Sequence, residues 1–168
     1  MKRILITGNS GAGKSTLAKQ LSGKFNLPLV HLDQHFWQPN WELPDMDIWR
    51  QEVTRMVTSD KWVIEGNFAS TFDIRFPRAT TIIHFDLPRP LCLYRCIKRT
   101  IVTGNKTRSD MAQGCIERFN LEFYKYIWSY SHIHGPKVLA AVEKYSKANF
   151  VVLNSMADVR SIKKLYGV

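Results

Sequence analysis

Long apolar runs are absent from this sequence of 168 residues. No stretch approaches the roughly eighteen apolar residues that a membrane-spanning helix requires. The opening residues, MKRILITGNSG, contain an apolar run of only three, which is too short for a secretory signal peptide. We therefore expect a cytoplasmic protein that has no membrane partner.

Paired cysteines and metal-ligand spacings are also missing. The three cysteines, Cys92, Cys96 and Cys115, show no C-x-x-C spacing, and the five histidines show no H-E-x-x-H spacing. We predict reduced cysteines that pack in the interior, and no zinc site. Internal repeats and linkers rich in proline or glycine are absent too, so residues 1–168 are expected to form one domain.

Acidic residues are scarce in the second half of the chain. Residues 1–86 hold ten lysines and arginines against nine aspartates and glutamates, whereas residues 87–168 hold fourteen against five. This excess of positive charge attracts polyanions, either nucleic acid or the phosphates of a nucleotide if the arginines converge on one pocket. Charge alone leaves both possibilities open.

The chain does contain an alternation of short apolar runs and longer amphipathic segments. This pattern predicts an α/β fold with a five-stranded parallel sheet flanked by helices. The predicted strands are RILIT, PLVHL, WVIE, TTIIHFD and NFVVLN, and the predicted helices span residues 14–24, 45–59, 88–102, 112–132, 136–146 and 156–165. Ligands of such sheets bind beyond the carboxyl ends of the strands, where the candidate site is expected.

A glycine-rich loop follows the first predicted strand and opens the first predicted helix. Within GNSGAGKST, Gly8, Gly13, Lys14 and Ser15 match G-x-x-x-x-G-K-[ST], the phosphate-binding P-loop. The glycines let the backbone N–H groups point at phosphate oxygens, and the helix adds its positive N-terminal end. Lys14 is expected to reach the β- and γ-phosphates of ATP, and the Ser15 hydroxyl to bind Mg²⁺.

Carboxylates follow the second and third predicted strands. Asp33 comes after PLVHL, and Glu65 ends WVIE with Asn67 close behind it. Beside a phosphate loop, such carboxylates suit the binding of Mg²⁺ and the removal of a proton from an acceptor hydroxyl. We interpret Asp33 as catalytic and Glu65, with Ser15, as a metal residue. The alternatives are a helix or turn cap for Asp33 and a strand-end ion pair for Glu65.

Aromatic residues are concentrated in HLDQHFWQPNW, residues 31–41. Trp37, Trp41 and Phe36 are candidates to wall an acceptor site by stacking on a flat ring. The alternative is that these rings form a small core under residues 40–60. The candidate acceptor-binding residues are Asp33, Phe36, Trp37, Trp41, Glu65 and Asn67, in or near an acceptor-side segment of about 33–60.

Basic residues follow the fourth predicted strand. Arg95 and Arg99 are four residues apart on one helix, where they suit the oxygens of a transferring phosphoryl group. The alternative is a solvated helix face. Residues of about 103–116 are polar and contain two glycines, so we predict a mobile lid that excludes water from the phosphoryl donor.

Several motifs together resemble the adenylate-kinase-like P-loop kinases over nearly the whole chain: GNSGAGKST, KFNLP, and FDLP leading to the basic helix. More narrowly, LDQHFWQPNW, WVIEGNF and FDLPRPLCLYRCIKR resemble the bacterial group labelled DNA topology modulation proteins (FlaR-like). The resemblance implies a nucleoside- or nucleotide-kinase-like P-loop NTPase fold with a small lid, and ATP and Mg²⁺ as ligands. The implied ATP-binding residues are Gly8, Gly11, Ala12, Gly13, Lys14, Ser15, Thr16 and Arg95.

Positions carried over from the family place Arg95 near the adenine or its phosphates, Arg99 by the transferring phosphoryl group, and the loop LNSMA beside the adenine ring. The acceptor half departs from the family. Adenylate kinases carry an arginine shortly after the position of Asp33, where this chain has His35, Phe36 and Trp37. The donor half is kept, and the acceptor half is rebuilt.

Three functions are compatible with these patterns. The leading one is an ATP- and Mg²⁺-dependent phosphotransferase that moves the γ-phosphate to a small acceptor, a nucleoside or a nucleotide, with Lys14, Asp33, Arg95 and Arg99 as catalytic residues. The second is an ATP-binding DNA-topology regulator with a basic DNA-binding surface, although no helix-turn-helix or zinc-finger signature is present. The third is a slow ATPase. Candidates to hold the phosphate of a nucleotide acceptor are Arg50, Arg55, Arg75 and Arg78. The oligomeric state is left open.

Overall fold

The computed structural model describes residues 2–104 and 106–168, and it contains the predicted five-stranded parallel sheet. The strand order is β2-β3-β1-β4-β5, so the first strand lies in the centre and the next two strands in the chain lie on one side of it. The strands are β1 (Arg3–Gly8), β2 (Leu29–His31), β3 (Trp62–Glu65), β4 (Thr81–Phe85) and β5 (Asn149–Leu153). Their carboxyl ends meet at one edge, because Ile6 pairs with Glu65, and Glu65 in turn pairs with His31.

Eight helices connect and flank these strands within the described residues. They are α1 (Lys14–Phe25), α2 (Leu32–Phe36), α3 (Met46–Met56), α4 (Phe72–Arg75), α5 (Arg89–Thr103), α6 (Leu121–Ile133), α7 (Gly135–Tyr145) and α8 (Met156–Tyr166). The short helices α2 and α4 were not predicted from the sequence, because segments of four or five residues are too short to show a helical repeat. None of the described helices is long and apolar enough to cross a membrane.

The helix predicted over residues 112–132 is wrong in its first part. Helix α6 begins only at Leu121, where the Asn120 side chain accepts a hydrogen bond from the Phe123 backbone N–H at 3.1 Å. Asn120 therefore caps the helix and sets its start. The preceding residues form a loop in which Thr107 and Ile116 make an antiparallel bridge. Ile116 belongs to this loop, so its apparent helical spacing was coincidental.

Two hydrophobic layers cover the sheet. On β1, Ile4 and Ile6 face one layer, whereas Leu5 faces the other, as the alternation of side chains along a strand requires. Helices α1, α5, α6 and α8 pack on the first face, and α2, α3, α4 and α7 pack on the second. This burial fixes the strands, and so it fixes the loops at their carboxyl edge.

Candidate active site

The loop between β1 and α1 has the backbone that a phosphate-binding loop requires. Gly8, Gly11 and Gly13 all have positive φ angles, of 134°, 77° and 102°. A Cβ at Gly11 would lie 2.4 Å from the Cys92 carbonyl oxygen, so the loop touches α5 there. At Gly13, by contrast, nothing lies within 4 Å of the Cβ position. The helix thus begins at an open space, which suits a phosphate.

The Asn67 side chain holds the start of this loop. Its amide accepts a hydrogen bond from the Gly8 N–H and donates one to the Gly8 carbonyl, both at 3.0 Å. It also donates to the Tyr126 hydroxyl at 3.1 Å and accepts from the Tyr130 hydroxyl at 3.0 Å. An amide has two donors and two acceptor positions, so these four bonds saturate it. Asn67 lines the cavity, but its amide serves the loop, in contrast to the predicted acceptor contact.

Glu65 lies beside the first turn of α1. Its Oε1 atom accepts hydrogen bonds from the Ser15 hydroxyl at 3.0 Å and, on the other side, lies 2.7 Å from His31 Nδ1. The side chain of Glu65 is buried, which raises its pKa, but His31, Lys14 and Ser15 outweigh this effect and the pKa is lowered overall. Glu65 is therefore an ionised carboxylate next to the phosphate loop.

Asp33 lies in α2, two residues beyond the end of β2, and lines the same cavity. Burial and the neighbouring charge of Glu65 raise its pKa to about 6, against the smaller effects of Lys14 and Arg108. The Trp37 indole N–H donates to its Oδ1 atom at 3.3 Å. The two predicted carboxylates are thus brought together, and their pKa values are shifted in opposite directions.

Cationic side chains also line the cavity. Arg95 lies in α5 with its guanidinium 3.4 Å from the sulfur of Met156, at the start of α8. The segment after β5 therefore reaches Arg95. The cationic side chains that line the cavity are Lys14, Arg95, Arg99, Arg108, Arg118 and Lys163. Much of the positive charge of the second half therefore converges on one pocket.

Arg99 and Arg108 meet at the carboxylate of Glu117. Glu117 is buried and accepts a hydrogen bond from Thr100 at 3.0 Å, while Arg99 Nη2 and Arg108 Nη1 lie 3.4 and 3.5 Å from its oxygens. Asp110 lies 3.2 Å from Arg108 Nε. Even so, Nε of Arg99 and both Nε and Nη1 of Arg108 are buried without a hydrogen-bond acceptor. Buried donors of this kind suit the oxygens of a phosphoryl group.

The loop that was predicted as a lid lies over the aromatic segment. The Trp41 indole N–H donates to the Ile116 carbonyl at 3.0 Å, and the Cys115 thiol lies 3.2 Å from the Gln38 carbonyl. Trp37 and Trp41 also pack against Met111, Ala112 and Cys115. The two tryptophan rings, 5.5 Å apart and steeply inclined, therefore join the lid loop and the acceptor side of the cavity.

Phe36 lies elsewhere than predicted. Its ring packs against Trp49 and Phe68 at centroid distances of 5.1 and 4.4 Å and is only 7% exposed. Phe36 is thus part of the second hydrophobic layer and does not line the cavity. The alternative interpretation, that some of these rings form a core, describes Phe36, whereas Trp37 and Trp41 both pack against the lid loop and line the cavity.

One cavity of about 1010 Å³ brings most of the predicted site residues together. The predicted residues that line it are Gly11, Ala12, Gly13, Lys14, Ser15, Thr16, Asp33, Trp37, Trp41, Glu65, Asn67, Arg95 and Arg99. Gly8 and Phe36 support it from outside. The sequence analysis missed Asp110, Glu117 and Phe68, which lie in loops where no periodic pattern marks a residue as facing inward.

Comparison with known proteins identifies the fold. No family model and no curated protein sequence matches the chain. Among solved structures, the chain is similar to a shikimate kinase from Bacteroides thetaiotaomicron, with 18% identity, a TM-score of 0.53 and 99% of each chain covered. It is also similar to a shikimate kinase from Acinetobacter baumannii in complex with shikimate, with 11% identity and a TM-score of 0.60, covering 99% of this chain and 94% of that one.

These structural similarities confirm the P-loop kinase fold that the sequence predicts. At such low identity they carry the fold alone. The narrower resemblance, to adenylate kinases and to the DNA topology modulation group, stays a prediction.

Proposed function

We propose that this protein is an ATP- and Mg²⁺-dependent phosphotransferase that moves the γ-phosphoryl group of ATP to a hydroxyl of a small acceptor. One observation carries the proposal: a phosphate loop, two carboxylates with separated pKa values and a set of arginines line the same cavity. A volume of about 1010 Å³ lies at the upper end of the range for ligand pockets, so a nucleotide and a second small molecule fit side by side.

Asp33 is the group that takes the acceptor's proton in this proposal. A general base works best when its pKa lies near the working pH, and burial raises the pKa of Asp33 to about 6. The lowered pKa of Glu65 keeps that carboxylate charged near neutral pH. Glu65 is therefore poorly suited to take up and release a proton there. Two carboxylates with pKa values pushed apart commonly divide two such roles.

The residues next to the loop fit a magnesium ion. Ser15 Oγ and Glu65 Oε1 lie 3.0 Å apart, and hydroxyl and carboxylate oxygens are the donors that Mg²⁺ prefers. When bound, the ion would offset charge on the phosphates of ATP. Lys14, Arg99 and Arg108 supply the protein's own positive charge around the transferring group, and the lid loop excludes water from it.

Shikimate, which is bound in the Acinetobacter neighbour, is a poor fit as the acceptor here. It carries a carboxylate, and the acceptor end of this cavity presents Asp33 and Glu65, which would repel it. We therefore propose the reaction type, and we do not propose shikimate as the acceptor of this protein.

Release of ADP from Mg·ATP tests the proposal. The panel contains nucleosides, nucleoside monophosphates, sugars, shikimate and plasmid DNA, with a water-only reaction as the baseline. We expect one small acceptor to raise ADP release well above that baseline and Lys14→Ala to abolish the increase. If only DNA stimulates release, or if DNA binds in a salt-sensitive way while no acceptor acts, the phosphotransferase proposal is wrong and the DNA-binding alternative takes its place.

A further inference from the structure

We infer that the acceptor is an uncharged alcohol built on a flat ring, such as a nucleoside, and that its phosphorylated or carboxylated counterparts are rejected. This inference rests on the proposed phosphotransfer and names the class of molecule that the same cavity accepts. It selects between the nucleoside and the nucleotide, which the sequence leaves open.

Acidic side chains dominate the acceptor end of the cavity. Asp33 and Glu65 face it from the ends of two adjacent strands, and Asp110 faces it from the lid loop. At Asp33, burial and then the charge of Glu65 raise the pKa, so negative charge is disfavoured at this residue. A phosphate or carboxylate on the acceptor would add a further negative charge to it. Such like-charge contacts are costly and select against a ligand.

The arginines that were candidates to hold an acceptor phosphate point elsewhere. Arg75 is fully buried and donates to the carbonyls of residues 66–68. Arg50 pairs with Asp73 at 2.6 Å, and Arg78 donates to the carbonyls of Val57 and Thr58. None of these three lines the cavity, and neither does Arg55. Arg50, Arg75 and Arg78 each have a structural partner, and none of the four lies where it offsets the charge of an acceptor.

Two cations lie close enough to Asp33 to affect its pKa, namely Lys14 and Arg108. Lys14 belongs to the phosphate loop and donates to the Asn9 carbonyl at 3.1 Å. Arg108 faces two carboxylates, Asp110 at 3.2 Å and Glu117 at 3.5 Å, which match its charge. Of the two cations near Asp33, Lys14 therefore serves the phosphate loop, and two carboxylates already match the charge of Arg108.

Aromatic rings line this end, and two of them have strained backbones. Trp41 and Phe68 have φ angles of 66° and 42°, in the left-handed region that bulky residues avoid. Both residues line the cavity, where the Trp41 ring lies 5.5 Å from that of Trp37 and the Phe68 ring packs on Phe36. Left-handed backbone costs roughly 1–3 kcal/mol at such residues and clusters at functional sites. The aromatic residues Trp37, Trp41 and Phe68 together suit an acceptor with a flat apolar ring.

Tryptophan fluorescence of the full-length protein with a non-hydrolysable ATP analogue and Mg²⁺ tests the inference. The probes are matched pairs: four nucleosides and pyridoxine, each against its 5′-monophosphate. We expect at least one uncharged probe to quench fluorescence with a Kd about tenfold lower than that of its monophosphate, a discrimination typical of like-charge contacts. Trp37→Phe is expected to reduce the quench. If a monophosphate binds as well as its uncharged partner, or if no uncharged probe binds, the inference is wrong.

Asp110→Asn sharpens the test, because it removes a carboxylate that matches Arg108 and leaves a cation for an acceptor phosphate. We expect it to tighten binding of a monophosphate several-fold relative to binding of its uncharged partner; no such relative tightening would contradict the inference. Phosphoryl transfer is measured separately on the same probes. If uncharged probes bind but no phosphoryl group is transferred, the phosphotransferase proposal is wrong and the preference for uncharged ligands stands. If only monophosphates are phosphorylated, the phosphotransferase proposal stands and the preference for uncharged ligands is wrong.

Discussion

The two ends of the cavity are built on different principles. At the donor end, the glycine backbone between β1 and α1 forms the site, and Asn67 fixes that backbone through both polar groups of Gly8. At the acceptor end, side chains form the site: two carboxylates with opposite pKa shifts and the rings of Trp37 and Trp41. A backbone site needs glycines at fixed spacing, whereas a side-chain site can be assembled from several loops.

If the proposed function holds, this difference explains why a phosphate loop can be common to P-loop kinases while the acceptor end varies among them. Phosphate is the same ligand in every such enzyme, so the same loop serves all of them. The acceptor varies, and it is met by residues whose positions are free to change. Five predictions test this contrast, and the strongest one comes first.

Lys14→Ala should have the largest effect, a loss of about 10²–10³-fold or more in kcat for phosphoryl transfer, because it removes a charge aimed at the transferring phosphate. The assay is ADP release in the presence of the best acceptor. Lys24→Ala, in the last turn of the same helix, is the matched control and should turn over normally. Comparable losses in both variants would mean that helix stability, and not phosphate contact, is being measured.

Asp33→Asn should lower kcat by about 10²–10⁴-fold, the usual contribution of a general base. In the wild type, kcat/KM should fall as the pH drops through about 6, the pKa to which burial raises Asp33. A profile that is flat from pH 5 to 8, or a variant that retains full activity, would contradict the role of Asp33 as the base.

The same substitution should stabilise the protein at pH 7. Because the folded pKa of Asp33 is raised above that of the unfolded chain, the folded state holds this proton more tightly, and the stability it brings is fully present below about pH 4 and lost as the pH rises through 6. At pH 7 the charged carboxylate therefore opposes folding, and we expect Asn to add about 1–2 kcal/mol, allowing for partial exposure. Urea unfolding should show the full gain at pH 7 and a smaller gain at pH 5, which lies between the unfolded and folded pKa values of Asp33.

Asn67→Ala should cost about 2–3 kcal/mol of unfolding free energy, because it leaves the polar groups of Gly8 and the hydroxyls of two tyrosines without partners. KM for ATP should rise more than the KM for the acceptor, since the amide holds the phosphate loop. Steady-state kinetics with each substrate varied in turn separate the two. If only the KM for the acceptor increases, Asn67 contacts the acceptor, as the sequence analysis predicted.

Trp41→Asn should have the smallest effect on stability, within about 1 kcal/mol, because asparagine tolerates the left-handed backbone and the relieved strain offsets the lost ring contacts. The KM for the acceptor should nevertheless rise about tenfold, since a base–aromatic stack contributes roughly 1–3 kcal/mol. Thermal unfolding and acceptor kinetics provide the two measurements. A large loss of stability with an unchanged acceptor KM would assign Trp41 to packing alone.

The sequence predicts the donor end well because its determinants are local. Gly8, Gly13, Lys14 and Ser15 occur in one motif, and the flanking strand and helix have clear periodic patterns. The five strands were found for the same reason: each is a short apolar run that the parallel sheet buries on both faces.

The lid and the acceptor end were predicted less completely because their determinants are not local. Glu117 faces Arg99 and Arg108 only once the lid loop folds back on α5, and no spacing in the sequence marks this contact. Phe36 shares a short segment with Trp37, yet it faces the second hydrophobic layer, because α2 turns neighbouring side chains in different directions. A helical repeat in the sequence also extended α6 too far, past the cap at Asn120.

The most direct test of the central claim is the detection of a phosphorylated acceptor by mass spectrometry, with ATP labelled in its γ-phosphate. Wild type, Lys14→Ala and Asp33→Asn are compared on the same panel of uncharged and phosphorylated acceptors. We expect the wild type to form labelled product from an uncharged acceptor, with one product molecule for each ADP. Neither variant should form this product. ADP formation without any labelled acceptor, or labelled product that survives Lys14→Ala, would contradict it.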